Sequence, residues 1–234
     1  MLVSLLLATA CREHPDIPGL EGVLEYRFVS PAWGLEPEAM ALGSTELLIV
    51  GPIHHPVFFD EDKLESYLYL EATGFRSLEP ELLQVEVADH LRHDDEPILQ
   101  PEVKALGLGD ARLEILGPEG EVVDTLLIEI APATTASVVD DEPLLSVVEE
   151  SHFYTLLAQD EHGRLLAASE GWVWEVQEPE VALLEPVGLF GEAAPRLEEE
   201  GERVGMLGQR EGETTVLVSR PGLSEELPLR VLAP

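Results

Sequence analysis

The amino-acid sequence predicts an all-β protein in which two antiparallel β-sandwiches follow one another along the chain. The prediction depends mainly on two stretches, Trp172–Leu184 and Val204–Ser219. In both, apolar residues, many of them β-branched or aromatic, alternate with polar residues, and Pro or Gly marks the corners, as is typical of short antiparallel strands. The chain has 234 residues, 45% of them hydrophobic. That is enough for two cores, since a sandwich domain needs about 100 residues.

The first half of the chain shows the same alternation between apolar and polar residues. Pro31–Gly43 is interrupted by Pro and Gly, and Asp89–Pro97 is strongly polar, so both are predicted as loops. Lys104–Ala131 predicts a hairpin with a tight turn at Gly117–Gly120, where Pro118 presets the backbone angle. The other predicted strands are Leu24–Val29, Thr45–Gly51, Ser66–Gly74 and Leu82–Asp89.

The segment Pro132–Pro143 is predicted to separate the two sandwiches, because it is small, polar and flanked by prolines. The predicted domains are residues 23–132 and 143–234. Residues 1–10 are predicted to be a signal segment, and residues 11–22, with two prolines and two glycines, a tether.

The second half carries a set of residues at characteristic spacing. A D-x-x-G turn is followed by a core Trp and a Pro-x-Val-Ala step, then by two glycines and a Thr/Val strand. These residues are Asp160, Gly163, Trp174, Pro179, Val181, Ala182, Gly208, Gly212, Thr215, Val216 and Val218. Leu144–Pro234 thereby resembles the bacterial Ig-like domain family repeated in invasin- and intimin-type surface proteins. The resemblance implies an Ig-like sandwich and a role at the cell surface. Lys104–Ala131 resembles, more loosely, the last hairpin of such a module, so residues 23–132 are expected to form a second Ig-like sandwich. Glu185–Arg203 is longer than the family's usual connection, and its role is left open.

The N-terminus predicts an export signal. Met1–Ala10 is an uncharged apolar run, too short to span a bilayer. Leu7–Cys11 resembles the lipobox of bacterial lipoproteins, which implies lipidation of Cys11, a membrane partner and a place in the cell envelope. Arg12 in the position after the cysteine implies outer-membrane delivery, with the domains facing the periplasm or the exterior. The alternative is a buried N-terminal strand with a free thiol at Cys11, the only cysteine in the chain.

The charge of the chain limits its partners. It has 47 acidic and 13 basic residues and a formal net charge of −34. Such a surface repels nucleic-acid phosphates, so no nucleic-acid partner is expected, and it attracts cations. A solubilising surface is the simplest interpretation of this charge.

Three groups of residues are candidate binding sites. Trp172 shares a strand face with Trp174 and could either fill the core or form a ligand platform. Two histidines and two aspartates, His90, His93, Asp94 and Asp95, suit a transition metal, although a solvated loop explains them as well. Carboxylates at the predicted junction, Asp140, Asp141 and Glu142, suit calcium as a bound cofactor.

No motif in the sequence predicts catalysis: it contains no nucleophile elbow, phosphate loop or H-E-x-x-H helix. The expected function is therefore that of a non-catalytic, lipid-anchored envelope protein acting as a spacer, adhesion or binding module for an unknown protein or glycan. The alternative is a carbohydrate- or cation-binding accessory domain that uses an exposed Trp and acidic loops.

Overall fold

The computed structural model describes residues 17–28, 37–52, 74–93, 96–139, 144–186, 198–200 and 203–234. Within these ranges all regular secondary structure is β-strand, arranged in three sheets. The all-β prediction is confirmed. None of the described residues belongs to a helix that could cross a membrane.

The first sheet has five strands in the order β1-β2-β4-β7-β6 and lies in the first half of the chain. The strand bounds are β1 Ile17–Pro18, β2 Leu24–Phe28, β4 Thr45–Pro52, β6 Leu83–His93 and β7 Glu96–Ala105. Alternate residues of β2 face inward, since Leu24, Tyr26 and Phe28 are buried and the two residues between them are half-buried. This is the period-2 pattern on which the strand prediction was based.

The second sheet, called the central sheet below, contains strands from both halves of the chain. Its nine strands run β15-β17-β12-β13-β3-β9-β8-β5, with β10 paired to β12. The bounds are β3 Ala39–Ala41, β5 Gly74–Ser77, β8 Gly109–Leu116, β9 Val122–Ala131, β10 Thr135–Val138, β12 Ser151–Gln159, β13 Leu165–Ala167, β15 Ala182–Pro186 and β17 Arg203–Gly208.

The third sheet has five strands in the order β11-β19-β18-β14-β16 and belongs to the second half. The bounds are β11 Leu144–Val147, β14 Val173–Val176, β16 Glu198–Glu200, β18 Gly212–Arg220 and β19 Leu223–Leu232. The long β18–β19 hairpin pairs Gly212 with Val231 at one end and Arg220 with Leu223 at the other.

The short strand β3 connects the two halves. It pairs in parallel with β9 of the first half, Met40 opposite Ile130, and with β13 of the second half, Ala39 opposite Leu166. All three residues of β3 are fully buried. One continuous hydrogen-bonded sheet therefore runs through both halves of the chain.

The two hydrophobic cores lie on opposite faces of the central sheet. Met40 and Ala167 belong to the first core, with Ile130, whereas Ala39 and Leu166 belong to the second core. Successive side chains of a strand point to opposite faces. The first sheet therefore packs on one face of the central sheet and the third sheet on the other, which gives two sandwiches that share a sheet.

Several predicted elements differ from the observed ones. The predicted loop Pro31–Gly43 contains β3, and the predicted polar loop Asp89–Pro97 is largely occupied by the ends of β6 and β7. The junction Pro132–Pro143 contains β10, which pairs with β12 of the second half. Most of the predicted strand Ser66–Gly74 lies outside the described residues. The hairpin at Lys104–Ala131 is confirmed as β8 and β9.

Candidate functional site: a buried joint between the sandwiches

Most of the predicted site residues lie outside the described ranges. This applies to the lipidation candidate Cys11, to Asp94 and Asp95, and to the junction carboxylates Asp140, Asp141 and Glu142. His90 and His93 lie on β6, where the backbone alone is described. Among the residues that the structure describes, no group of three or more His, Cys, Asp or Glu side chains is placed to hold a metal ion.

Trp172 is a core residue, and its interpretation as a ligand platform is corrected. Its side chain is 0% exposed, as is that of Trp174. The indole Nε1 donates a hydrogen bond to the carbonyl oxygen of Ala168 at 2.8 Å. The guanidinium carbon of Arg220 lies 4.9 Å from the ring centroid, which is within the range of a cation–π contact. No ring face remains for a ligand.

The two sandwiches meet at a buried contact, called the joint below. There a buried carboxyl group of the first half, that of Glu46, contacts the second half. Glu46 lies on β4 and is 2% exposed. Its Oε1 accepts a hydrogen bond from the backbone N–H of Ser169 at 2.6 Å, and its Oε2 accepts one from the Ser169 hydroxyl at 2.7 Å. One side chain of the first sandwich thus binds both donors of a single residue in the second.

A buried arginine from the second half lies in the same region. Arg220, at the end of β18, is 6% exposed and donates from Nη2 to the carbonyl oxygen of Leu42 at 3.0 Å. Its Nε and Nη1 make no hydrogen bond within the described part of the chain. The cation–π contact with Trp172 is therefore a main interaction of this guanidinium.

The electrostatics of the joint are set by burial. Burial raises the pKa of Glu46 to about 7, against the hydrogen bonds from Ser169, the charge of Arg220 and a hydrogen bond from Ser44, all of which lower it. Burial likewise lowers the pKa of Arg220 to about 10, which still leaves the guanidinium charged at neutral pH. Glu46 is therefore the joint residue whose charge changes near neutral pH.

An ion pair connects the halves at another point of the joint. Arg164, in the turn between β12 and β13, donates to both carboxylate oxygens of Glu129 on β9, at 2.8 and 2.5 Å. The hydrogen bonds from Arg164 lower the pKa of Glu129 below its usual range. This bidentate geometry is the strong form of an arginine–carboxylate pair.

The D-x-x-G motif holds Arg164 in position. One carboxylate oxygen of Asp160 accepts from the backbone N–H groups of His162 and Arg164, at 2.8 and 2.9 Å, and the other accepts from Arg164 Nε at 2.7 Å. Gly163 has a φ of +77°, which favours glycine. The sequence predicted this turn, but not that it carries an arginine which reaches the other half of the chain.

The backbones of the two halves also approach closely at the joint. The Ser44 hydroxyl donates to the carbonyl oxygens of Ala41 and Ala167, at 2.7 and 3.2 Å. A Cβ placed on Gly171 would lie 3.0 Å from the carbonyl oxygen of Gly43. The joint is thus a packed, hydrogen-bonded contact, and its enclosed carboxyl group can exchange a proton but has little access to a substrate.

No protein-family model matches this chain, and no curated protein sequence matches it. Solved structures to which this chain is similar include domains 4 and 5 of the S-layer protein SbsC, with 13% identity over 88% of this chain and 99% of that one, at a TM-score of 0.33. A β-glycosidase from Bacteroides vulgatus is 10% identical over 89% of this chain and 24% of that one, at a TM-score of 0.31. Invasin, a bacterial integrin-binding protein, is 11% identical over 90% of this chain and 40% of that one, at a TM-score of 0.30. Similarity at this level carries no conclusion about function. The fold and the joint define the chain as an all-β protein of two sandwiches that share a sheet.

Proposed function

We propose that this chain is a non-catalytic cell-envelope protein, anchored by a lipid on Cys11, whose paired sandwiches act as a spacer, adhesion or binding module at the cell surface. The observation that supports the spacer role best is the central sheet, which continues through both halves by way of β3. A continuous sheet with a packed joint keeps two domains at a fixed distance, unlike a flexible linker.

The alternative role, a carbohydrate-binding accessory domain, loses its main residue because Trp172 is 0% exposed. Its cation-binding form depends on Asp140, Asp141 and Glu142, and remains a prediction from the sequence. No described feature favours either form over the spacer.

The anchor can be tested by labelling with a fatty acid. Expressed with a complete signal in a bacterial host, the wild-type chain should incorporate labelled fatty acid and partition with membranes, because several acyl chains together anchor firmly. Cys11→Ser should abolish both. Arg12→Asp is a matched control, because the resemblance to lipoproteins implies that it retains the lipid and shifts the protein toward the inner membrane. An unmodified Cys11 thiol in soluble wild-type protein would contradict the anchor.

The spacer and binding roles can be separated by replacement. The chain from β1 onward, residues 17–234, would be exchanged for an unrelated rigid two-domain segment of equal length, with the residues before it retained. A spacer role predicts that surface presentation of a fused reporter is restored. A binding role predicts that adhesion to glycan or protein surfaces is lost with the native domains.

A further inference from the structure

We propose that the joint between the two sandwiches is a proton-controlled latch, which is closed when Glu46 is protonated and weakened when Glu46 ionises. This inference depends on the geometry of the joint and is independent of the lipid anchor, and it limits the fixed spacing proposed above to conditions in which Glu46 is protonated. Glu46 is the group that gains or loses the proton, and Ser169 is its hydrogen-bond partner on the other side of the joint.

The neutral form of Glu46 can keep both of its hydrogen bonds to Ser169. A serine hydroxyl both donates and accepts, so Ser169 Oγ can accept from a protonated carboxyl oxygen. The other carboxyl oxygen continues to accept from the Ser169 N–H, which lies 2.6 Å away. Both hydrogen bonds between Glu46 and Ser169 therefore survive protonation, and no charge is buried on the carboxyl side.

The ionised form carries a cost that the joint only partly offsets. A carboxylate that is 2% exposed has lost most of its hydration, which is expensive unless a close partner replaces the water. The charged group that acts on it is Arg220, whose guanidinium is already engaged with the Leu42 carbonyl and the Trp172 ring. Opening the joint would return water to the carboxylate, so ionisation favours the open state.

The direction of the pH effect follows from the pKa of Glu46, which burial raises to about 7. A carboxyl group whose folded-state pKa lies above its unfolded value of roughly 4.3 contributes stability that is complete below the unfolded pKa. That stability is lost as the pH rises through 7. Arg220 stays charged in this window, and the lowered pKa of Glu129 keeps the Arg164–Glu129 ion pair ionised.

The first test compares the stability of the wild type and Glu46→Gln from pH 5 to 8 by urea denaturation at constant ionic strength, in the full chain carrying Cys11→Ser. The wild-type unfolding equilibrium constant should rise on the order of tenfold to a hundredfold more than that of the variant. Since all seven histidines remain in both proteins, the difference reports Glu46 alone. Equal pH profiles would overturn the proposal.

The second test asks whether the titration opens the joint. Spin labels on Glu119→Cys, in the exposed β8–β9 turn, and Glu226→Cys, on an exposed position of β19, report the distance between the sandwiches. The distance distribution should broaden above pH 7 in the wild type and stay narrow in Glu46→Gln. An unchanged distribution alongside a stability difference would mean that Glu46 titrates without acting as a latch, and would also overturn the proposal.

Two further variants keep the test informative if Glu46→Gln folds poorly. Ser169→Ala removes a hydrogen bond that lowers the pKa of Glu46, so the midpoint of the pH profile should move to higher pH. Glu129→Gln removes the Arg164–Glu129 ion pair, which should weaken the joint at every pH without changing the shape of the profile. A midpoint that does not move in Ser169→Ala contradicts the latch.

Discussion

Asp124 holds the loop that precedes β2 against β9. It is 0% exposed, and its two carboxylate oxygens accept from the N–H groups of Glu21, Val23 and Leu24, at 2.9, 2.9 and 2.7 Å. Burial raises its pKa, but hydrogen bonds with the Glu21 side chain and with backbone N–H groups outweigh burial and lower it to about 2. Without the Asp124 carboxylate, these three backbone N–H groups would lose their hydrogen-bond acceptor.

We expect Asp124→Asn to lower the free energy of unfolding at pH 7 by about 2 kcal/mol, because hydrogen bonds to a charged group are lost. The wild type should lose this advantage as the pH falls from roughly 4, the unfolded pKa, through 2, the folded value. Asp110→Asn, an exposed position on β8, is the matched control. Urea denaturation at pH 7 and pH 3 checks both points, and equal losses in the two variants would contradict the role given to Asp124.

Trp172 makes two polar contacts that a phenylalanine cannot reproduce fully. Trp172→Phe removes the hydrogen bond to Ala168 and weakens the stack under Arg220. We expect a loss of about 1–3 kcal/mol in the free energy of unfolding. Val173→Ala, at the next residue along the chain, which is 39% exposed, should change it by less than about 0.5 kcal/mol. A Trp172→Phe variant as stable as the wild type would show that these contacts contribute nothing.

The buried joint could not be predicted from the sequence, and the reason is visible in single residues. Glu46 stands in an ordinary alternating strand, where an acidic residue normally faces water. Its partner Ser169 is 123 positions away, so no local pattern connects them. Trp174, by contrast, was predicted as a core residue because its strand alternates clearly, and it is 0% exposed. Local periodicity locates cores, but polar contacts between distant segments require the fold.

At the level of elements, two glycines allow the cost of an unfavourable backbone angle to be measured separately from the cost of a close contact. Gly171 and Gly222 have nearly the same φ, +82° and +83°, but a Cβ on Gly171 would lie 3.0 Å from the Gly43 carbonyl oxygen, whereas Gly222 has open space. Gly222→Ala should cost about 1 kcal/mol from the left-handed angle alone. Gly171→Ala should cost clearly more, because it also pushes the halves apart. Thermal denaturation of both variants checks this, and equal costs would mean that the joint yields easily.

The strand that the sequence did not predict, β3, is the one that connects the two halves. β3 has three residues, too few to show an alternating pattern, and it lies between prolines and glycines that predict a loop. It becomes a strand because β9 and β13 offer hydrogen bonds on both sides. The β8–β9 hairpin was predictable because its strands are long and its turn is local, with Gly120 at a φ of +79°.

For the whole molecule, the placement of the two cores on opposite faces of one sheet has a mechanical consequence. Residues of β3 and β13 support one core with one side chain and the other core with the next. A structural change in β3 or β13 therefore affects the packing of both sandwiches at once. The joint is consequently the place where a single titrating group can influence the relation between the two halves.

The net charge of −34 predicts how the whole molecule responds to ions. Monovalent salt should raise the melting temperature by screening self-repulsion. If Asp140, Asp141 and Glu142 bind calcium, then calcium at equal ionic strength should add a further saturable rise of a few °C, about what 1 kcal/mol gives in a chain of this size. Asp140→Asn plus Asp141→Asn should remove that excess, whereas Glu225→Gln plus Glu226→Gln, which removes the same charge from β19, should not. Calorimetry with calcium and with sodium separates the cases. A calcium effect that survives the first double variant, or that sodium reproduces, would assign the rise to the diffuse charge of the surface.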